Sequence, residues 1–250
     1  MVYPLRTTDI LLHIYKNPED MAEQTAEVLL EHCERAIKER GTCSLAISGG
    51  KTPLPLFMLL GSKEWCNKFP WEKISIYWVD EHCVPIDSEY NNYTIAKKLF
   101  LTNVSSTRFY RIRGELPPQE AMTLYTELLK NHFSLQEGEL PRFDVILLGV
   151  GITGYVASIY PDSPALVEED ALLSEVYVEE EEHARITMTM PVINAARCVI
   201  FMVSGKQKAP VLAKALNILA PPTIPPQFVR PTAGKVIWNV DEEATLSSKE

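Results

Sequence analysis

Three short stretches of the chain gather groups that can hold an anion or move a proton. Ser48-Gly49-Gly50-Lys51-Thr52 offers two hydroxyls, an ammonium and bare backbone N–H groups, a set that suits a phosphate monoester at a strand-to-helix turn. Its spacing is not the GxxxxGK[ST] of a P-loop, and an ordinary turn would use the same glycines. Gly149-Val150-Gly151-Ile152-Thr153-Gly154-Tyr155 follows an apolar run and places three glycines within six residues. Its backbone can therefore turn sharply and approach a ligand closely. It fits GxGxxG, with Glu168, Glu169 and Asp170 about 20 residues on, but Pro161 cuts short the helix that a dinucleotide unit needs. The loop holds no His, Asp or Glu; the places where an acid–base group would stand are Thr153 and Tyr155. Asp80-Glu81-His82 supplies two carboxylates and an imidazole at a strand tip, where a histidine can act as base or acid and an Asp-Glu pair can equally cap a loop.

The cations expected to face a bound anion are Arg185, Lys206, Lys208 and Arg230, whereas Arg142 and Arg197 read as surface residues. His13, His32 and His132 read the same way. No His/Cys/Asp cluster has the spacing of a metal site, so no metal is expected.

The chain has 250 residues, 46% hydrophobic and 23% charged, with a formal net charge of −9. That balance suits one globular unit spanning residues 1–250. It argues against a nucleic-acid surface or an anionic membrane as partner, but not against a small anion that needs two or three local cations. No apolar run approaches the ~18 residues of a membrane helix, and the first residues lack the apolar core of a signal peptide. Five scattered cysteines without CxxC spacing suit a reducing compartment. The expectation is a cytoplasmic protein.

These groups must be positioned by alternating strands and helices. Asn17 can cap a helix that Pro18 opens and Gly41 stops. Buried strands are expected at 43–47, 143–148 and 198–203, further strands at 74–79, 108–112 and 236–240, and an alternating strand at 185–189. Helices are expected at 54–60, 92–101, 119–132 and 205–219, with helical turns at 156–160 and 191–196. The run 179–182 reads as a solvated acidic turn, 221–226 as a stiff extended connector and 246–250 as a frayed tail. The order implies an α/β fold, a mostly parallel sheet with helices on both faces. Ligands then sit beyond the carboxyl ends of the strands, where 48–52, 80–82 and 149–155 could share one crevice.

Taken together, the segments resemble the 6-phosphogluconolactonase family, within the sugar-phosphate group that includes glucosamine-6-phosphate deaminases. The blocks run in order through Ile47-Ser48-Gly49-Gly50-Lys51-Thr52-Pro53, Trp78-Val79-Asp80-Glu81-His82-Cys83-Val84-Pro85, Asn91-Asn92-Tyr93 and Leu147-Leu148-Gly149-Val150-Gly151. They continue through Ala157-Ser158-Ile159-Tyr160-Pro161, Arg185-Ile186-Thr187-Met188-Thr189-Met190-Pro191, Gly205-Lys206-Gln207-Lys208-Ala209 and Val229-Arg230-Pro231-Thr232-Ala233-Gly234. The resemblance implies the Rossmann-like isomerase/lactonase fold. It also implies hydrolysis of 6-phosphogluconolactone to 6-phosphogluconate, a step of the oxidative pentose phosphate pathway, without a cofactor. The sequence does not fix the oligomeric state, and a monomer is the expectation. The resemblance assigns Gly49, Gly50, Lys51 and Thr52 to the phosphate side, Arg185, Lys208 and Arg230 to the sugar phosphate, and Asp80 and Glu81 to the acidic tip.

The departures fall where chemistry belongs. The family loop usually reads Gly-x-Gly-x-Asp-Gly-His, with the His as base, and Thr153 and Tyr155 occupy the Asp and His positions. A phenol, ordinarily ionising near ~10, is a poor base at neutral pH. The usual Arg after Asp-Glu is His82. The resemblance thus allows a lactonase with His82, Glu81 or His183 as surrogate base, a weakened enzyme, or a sugar-phosphate binder without turnover. Deaminases typically read Ala-Phe-Asn-Glu-Pro where this chain has Ala157-Ser158-Ile159-Tyr160-Pro161, so amino-sugar chemistry is the least favoured reading.

Overall fold

The computed structural model describes residues 9–105, 108–178, 182–217, 219 and 221–246. Its strands are β1 (Asp9–Tyr15), β2 (Cys43–Ile47), β3 (Ile74–Trp78), β4 (Asp80–His82), β5 (Phe109–Tyr110), β6 (Val145–Gly149), β7 (Leu173–Val176), β8 (Arg185–Met188), β9 (Cys198–Val203) and β10 (Lys235–Asp241). The helices are α1 (Pro18–Arg40), α2 (Leu54–Leu60), α3 (Lys63–Cys66), α4 (Asn92–Ala96), α5 (Pro118–Phe133), α6 (Met190–Asn194), α7 (Ala209–Leu216) and α8 (Glu242–Thr245). Seven strands form one sheet in the order β1-β10-β9-β6-β2-β3-β5, with every neighbouring pair parallel. Every residue of β9 is buried, so the centre of the sheet is covered on both faces, as a parallel sheet requires.

Local chemistry explains the long first helix. The Asn17 side chain accepts from the Asp20 N–H at 2.8 Å, Pro18 fills the first position, and Gly41 ends the helix at φ +83° with its N–H on the Ile37 carbonyl. Only glycine takes that left-handed conformation without strain.

Register sets the working edge. Ile47 is aligned with Leu147 and with Trp78, and Gly149 with Met202. The ladder runs one residue further, with Ser48 N–H donating to Leu147 O at 3.1 Å and Val79 N–H to Ile47 O at 2.9 Å. The segments after β2, β3, β6 and β9 therefore leave the sheet side by side.

A second sheet, β4-β8-β7, is antiparallel. It begins one residue after β3, and the Val79 carbonyl between them accepts from the Met188 N–H at 2.8 Å. The expected charged tip at Asp80–His82 is thus a strand, and β7 and the edge strand β1 add to the expected set. Residues 156–160 form no helical turn. Ala157 and Ser158 sit at φ +48° and +60°, and Val156 and Ile159 exchange backbone hydrogen bonds at 3.1 and 2.7 Å. Positive φ at both central residues marks a type I′ turn. The expected helix 92–101 is α4 followed by a wide π turn over Lys97–Leu101, and the strand at 108–112 shortens to β5. The helix expected at 205–219 opens as a tight turn over Lys206–Lys208 and ends at Leu216. The connector 221–226 runs into a 3₁₀ turn at Pro225–Phe228. Most of the acidic run (179–181) and of the tail (247–250) lies outside the described residues.

Candidate active site

The turn after β2 meets the acidic tip directly. A Cβ on Gly49 would lie 1.8 Å from Asn92 Oδ1, so only glycine admits the buried Asn92, whose Nδ2 donates to the Asp80 carbonyl at 3.0 Å. Gly50 lies at φ +95°, Lys51 is exposed and Thr52 half-buried. The turn therefore presents an ammonium and a hydroxyl outward from a backbone anchored to β4.

Strand pairing sorts the tip by face. Asp80 is paired with Thr187, and His82 with Arg185. Residues directly opposite share a face, as do alternate residues of one strand. Asp80, His82, Arg185 and Thr187 therefore share one face, and Glu81 and Ile186 the other. On the first face the Ser158 hydroxyl donates to Asp80 Oδ2 at 2.6 Å and accepts from an Arg185 Nη at 3.3 Å, while Thr187 Oγ1 donates to the Ala157 carbonyl. The type I′ turn thus places Ser158 as a bridge between an acid and a cation. Burial pushes the Asp80 carboxyl above the usual carboxylate range, against the pull of Ser158, Arg185 and Ser48. Ser48 lies close to Asp80, yet Ser48 Oγ and Asp80 Oδ1 are buried without an aligned hydrogen bond.

Glu81 has a different post. Its carboxylate accepts backbone N–H bonds from His82 (2.9 Å), Asn92 (2.7 Å) and Tyr93 (2.9 Å). It holds the start of α4, on the face of β4 opposite Asp80 and His82. Burial raises its pKa to about 8, opposed by those three donors. His82 Nδ1 lies 2.7 Å from His183 Nε2, so one imidazole donates to the other. Tyr90 flanks the pair, with ring centroids 6.1 Å from His82 and 5.8 Å from His183.

The second glycine loop closes the arrangement. The Tyr155 ring lies over Gly151, where a Cβ would come within 2.1 Å of it, and stacks on Tyr160 at 4.6 Å. The Arg185 guanidinium stands 5.8 Å from the Tyr155 ring centroid, at the outer reach of a cation–π contact. Thr153 is exposed. Gly205, at φ +92°, gives its N–H to Asp241 at 3.0 Å. The following turn delivers Lys208, whose Nζ donates to the Val150 carbonyl at 2.6 Å. Burial lowers the Lys208 pKa. Arg230 is linked only indirectly. It is exposed, its Nε donates to the Gln227 carbonyl at 2.8 Å, and its turn meets the loop through Ile224 packed on Gly154.

One row of strand ends thus carries an anchored glycine turn, a buried acid–serine–arginine chain, a lysine on the second glycine loop and an imidazole pair. A sequence model described as glucosamine-6-phosphate isomerases/6-phosphogluconolactonase matches residues 16–238. The chain belongs to this family. The 6-phosphogluconolactonase of Synechocystis sp. is 34% identical over 233 residues, covering 91% of this chain and 94% of that protein. The crystal structure of a 6-phosphogluconolactonase from Shewanella baltica is 27% identical with a TM-score of 0.75, covering 94% of this chain and 98% of that one. A monomeric glucosamine-6-phosphate deaminase shares the fold, with a TM-score of 0.74 at 16% identity over 94% of this chain and 98% of that one. Lactonase and deaminase chemistry therefore share this architecture, and the side chains must separate them.

Several residues that hold the candidate site together escaped the sequence reading. Ser158 and Thr187 carry no local mark in the sequence, because the positive φ that turns Ser158 toward Asp80 has no glycine to signal it. Asn92 could have been found from Gly49, since a glycine at a strand end implies a close neighbour. Among the described residues no group of three or more His, Cys, Asp or Glu could hold a metal ion, and no helix is long and apolar enough to cross a membrane.

Proposed function

We propose that the protein hydrolyses 6-phosphogluconolactone to 6-phosphogluconate. The observation that carries this reading is the shared face of β4 and β8, where Asp80, Ser158 and Arg185 are bonded in series beside His82. Gly49–Thr52 and Lys208 bind the phosphate, and Arg230 guards the outer rim. The His82–His183 pair takes a proton from water, and the oxygen attacks the lactone carbonyl. Arg185 stabilises the resulting oxyanion. The C1–O bond to the ring then breaks, the ring oxygen receives the proton, and the new acid ionises at neutral pH. A positioned base contributes ~10²–10⁴-fold. Arg185 is oriented for this by Ser158, which Asp80 holds in turn. On this reading the protein works as a cytoplasmic monomer without a cofactor.

Each turnover releases one proton, so the reaction is followed with a pH indicator. The expected outcome is a rate well above the spontaneous opening of the lactone, and a rate equal to the protein-free control sinks the assignment. A second reading, binding without turnover, is favoured by the absence of an acid–base group from the second glycine loop. Calorimetry with 6-phosphogluconate gives heat under both readings, so heat without proton release would select the binder.

A further inference from the structure

The opposite edge of the large sheet, where the strands begin, holds two adjoining cavities of about 440 and 360 Å³. Arg40, Arg142, Asp144 and Arg197 line both. In a chain of net charge −9, the larger cavity is lined by five cations (Arg35, Arg40, Arg142, Arg197 and Lys235) against three acids, Asp9, Glu39 and Asp144. The fold gathers them from separate places: Arg40 ends α1, Arg142 precedes β6, Arg197 precedes β9 and Lys235 opens β10.

The acids do not use up this charge. Asp144 Oδ2 accepts from the Ser44 N–H at 2.8 Å and hydroxyl at 3.0 Å, and Oδ1 takes Arg40 Nε at 3.1 Å and an Arg40 Nη at 2.8 Å. Arg197 Nε is 3.4 Å from the same oxygen but buried without an aligned hydrogen bond. Among the described residues, neither Arg142 nor Lys235 has a carboxylate within ion-pair distance. Arg142 Nη2 donates only to the Ala233 carbonyl, at 2.9 Å. The crowding of like charge is felt locally. Burial, then Arg142 and Arg40, lower the Arg197 pKa, and burial, then Lys235 and Arg35, push His32 down to about 4.

We propose that this edge is a second ligand site, for a small phosphate-bearing molecule with two or more negative charges. The larger cavity falls within the ~300–1,000 Å³ of small-ligand pockets. Guanidinium forks match phosphate oxygens. Arg35 is held by Glu31 at 2.6 Å and Arg40 by Glu39 and Asp144, which leaves Arg142, Lys235 and Arg197, whose Nε has no aligned bond, to meet such an anion. The site lies at the far end of the strands from Asp80 and Arg185, so it stands whether or not the lactonase reading does.

Inorganic pyrophosphate is the probe, titrated calorimetrically into the whole protein. Lys208→Gln weakens any binding at the carboxyl edge and leaves the proposed site intact, so pyrophosphate affinity that survives it reports the proposed site. Arg142→Gln is expected to weaken the remaining binding ~10-fold or more, the loss of one charge-assisted hydrogen bond. Unchanged pyrophosphate affinity in Arg142→Gln, loss of all binding in Lys208→Gln alone, or no heat from the wild type at millimolar pyrophosphate would each overturn the proposal. Lys235→Gln reports the same weakening if Arg142→Gln proves unstable, and thermal unfolding without pyrophosphate checks both folds.

Discussion

At His82 the chain carries an imidazole that meets a second one, His183, at 2.7 Å. A hydrogen bond between imidazoles requires one ring to accept while the other donates, which is the arrangement the proposed proton transfer needs. Tyr155 is placed by ring contacts. Its ring packs on Gly151 and Tyr160 and faces Arg185, contacts that a phenyl ring would keep. Tyr155→Phe is therefore expected to leave kcat for lactone opening within a few-fold of wild type. A loss of a hundredfold or more would show that the phenol itself takes part in proton transfer. The resemblance pointed to both positions, but the sequence could not show that His82 and His183, separated by 101 residues, come together. That contact depends on β4 pairing with β8.

At the scale of elements, function rests on joints. The turn after β2 is tied to β4 through Asn92, and α4 is tied to β4 through Glu81. Gly49→Ala forces the new methyl into the Asn92 side chain and breaks its bond to the Asp80 carbonyl. A buried carbonyl left without its partner costs ~1–3 kcal/mol. Denaturant unfolding is expected to show a loss of that size, with lactone turnover falling as the turn moves; wild-type stability would mean that Asn92 rotates away freely. The central strands were legible because continuous apolar runs such as Val145-Ile146-Leu147-Leu148 have few other uses. The edge strand β1 was missed because its residues are largely exposed and neither burial pattern nor strict alternation marks it. The turn at Ala157 and Ser158 was read as helical because its conformation is imposed by tertiary contacts: Ser158 to Asp80 and Thr187 to Ala157.

Across the whole molecule, the two edges of the sheet are electrostatically distinct: a titratable acid–imidazole cluster at the carboxyl end and an arginine-rich pair of cavities at the amino end. Arg142 and Arg197 read as ordinary surface residues in the sequence, since only the order β9-β6-β2 brings them together. This edge also makes stability depend on pH through His32. Burial, Lys235 and Arg35 depress its folded pKa from 6.5 to about 4, so the fold favours the neutral ring. The stability it contributes is full above pH 6.5 and is lost as pH falls toward 4. Thermal unfolding at pH 7 and pH 5 is expected to show a larger drop in Tm for wild type than for His32→Gln. Equal drops would mean that His32 is protonated as easily in the folded chain as in the unfolded one.

The site itself is tested most directly by proton release from 6-phosphogluconolactone, measured side by side for the wild type and His82→Gln. The account predicts a fast wild type and a variant whose kcat falls ~10²–10⁴-fold while KM stays close to wild type, because the phosphate-binding groups are untouched. A His82→Gln protein that turns over as fast as wild type would contradict it.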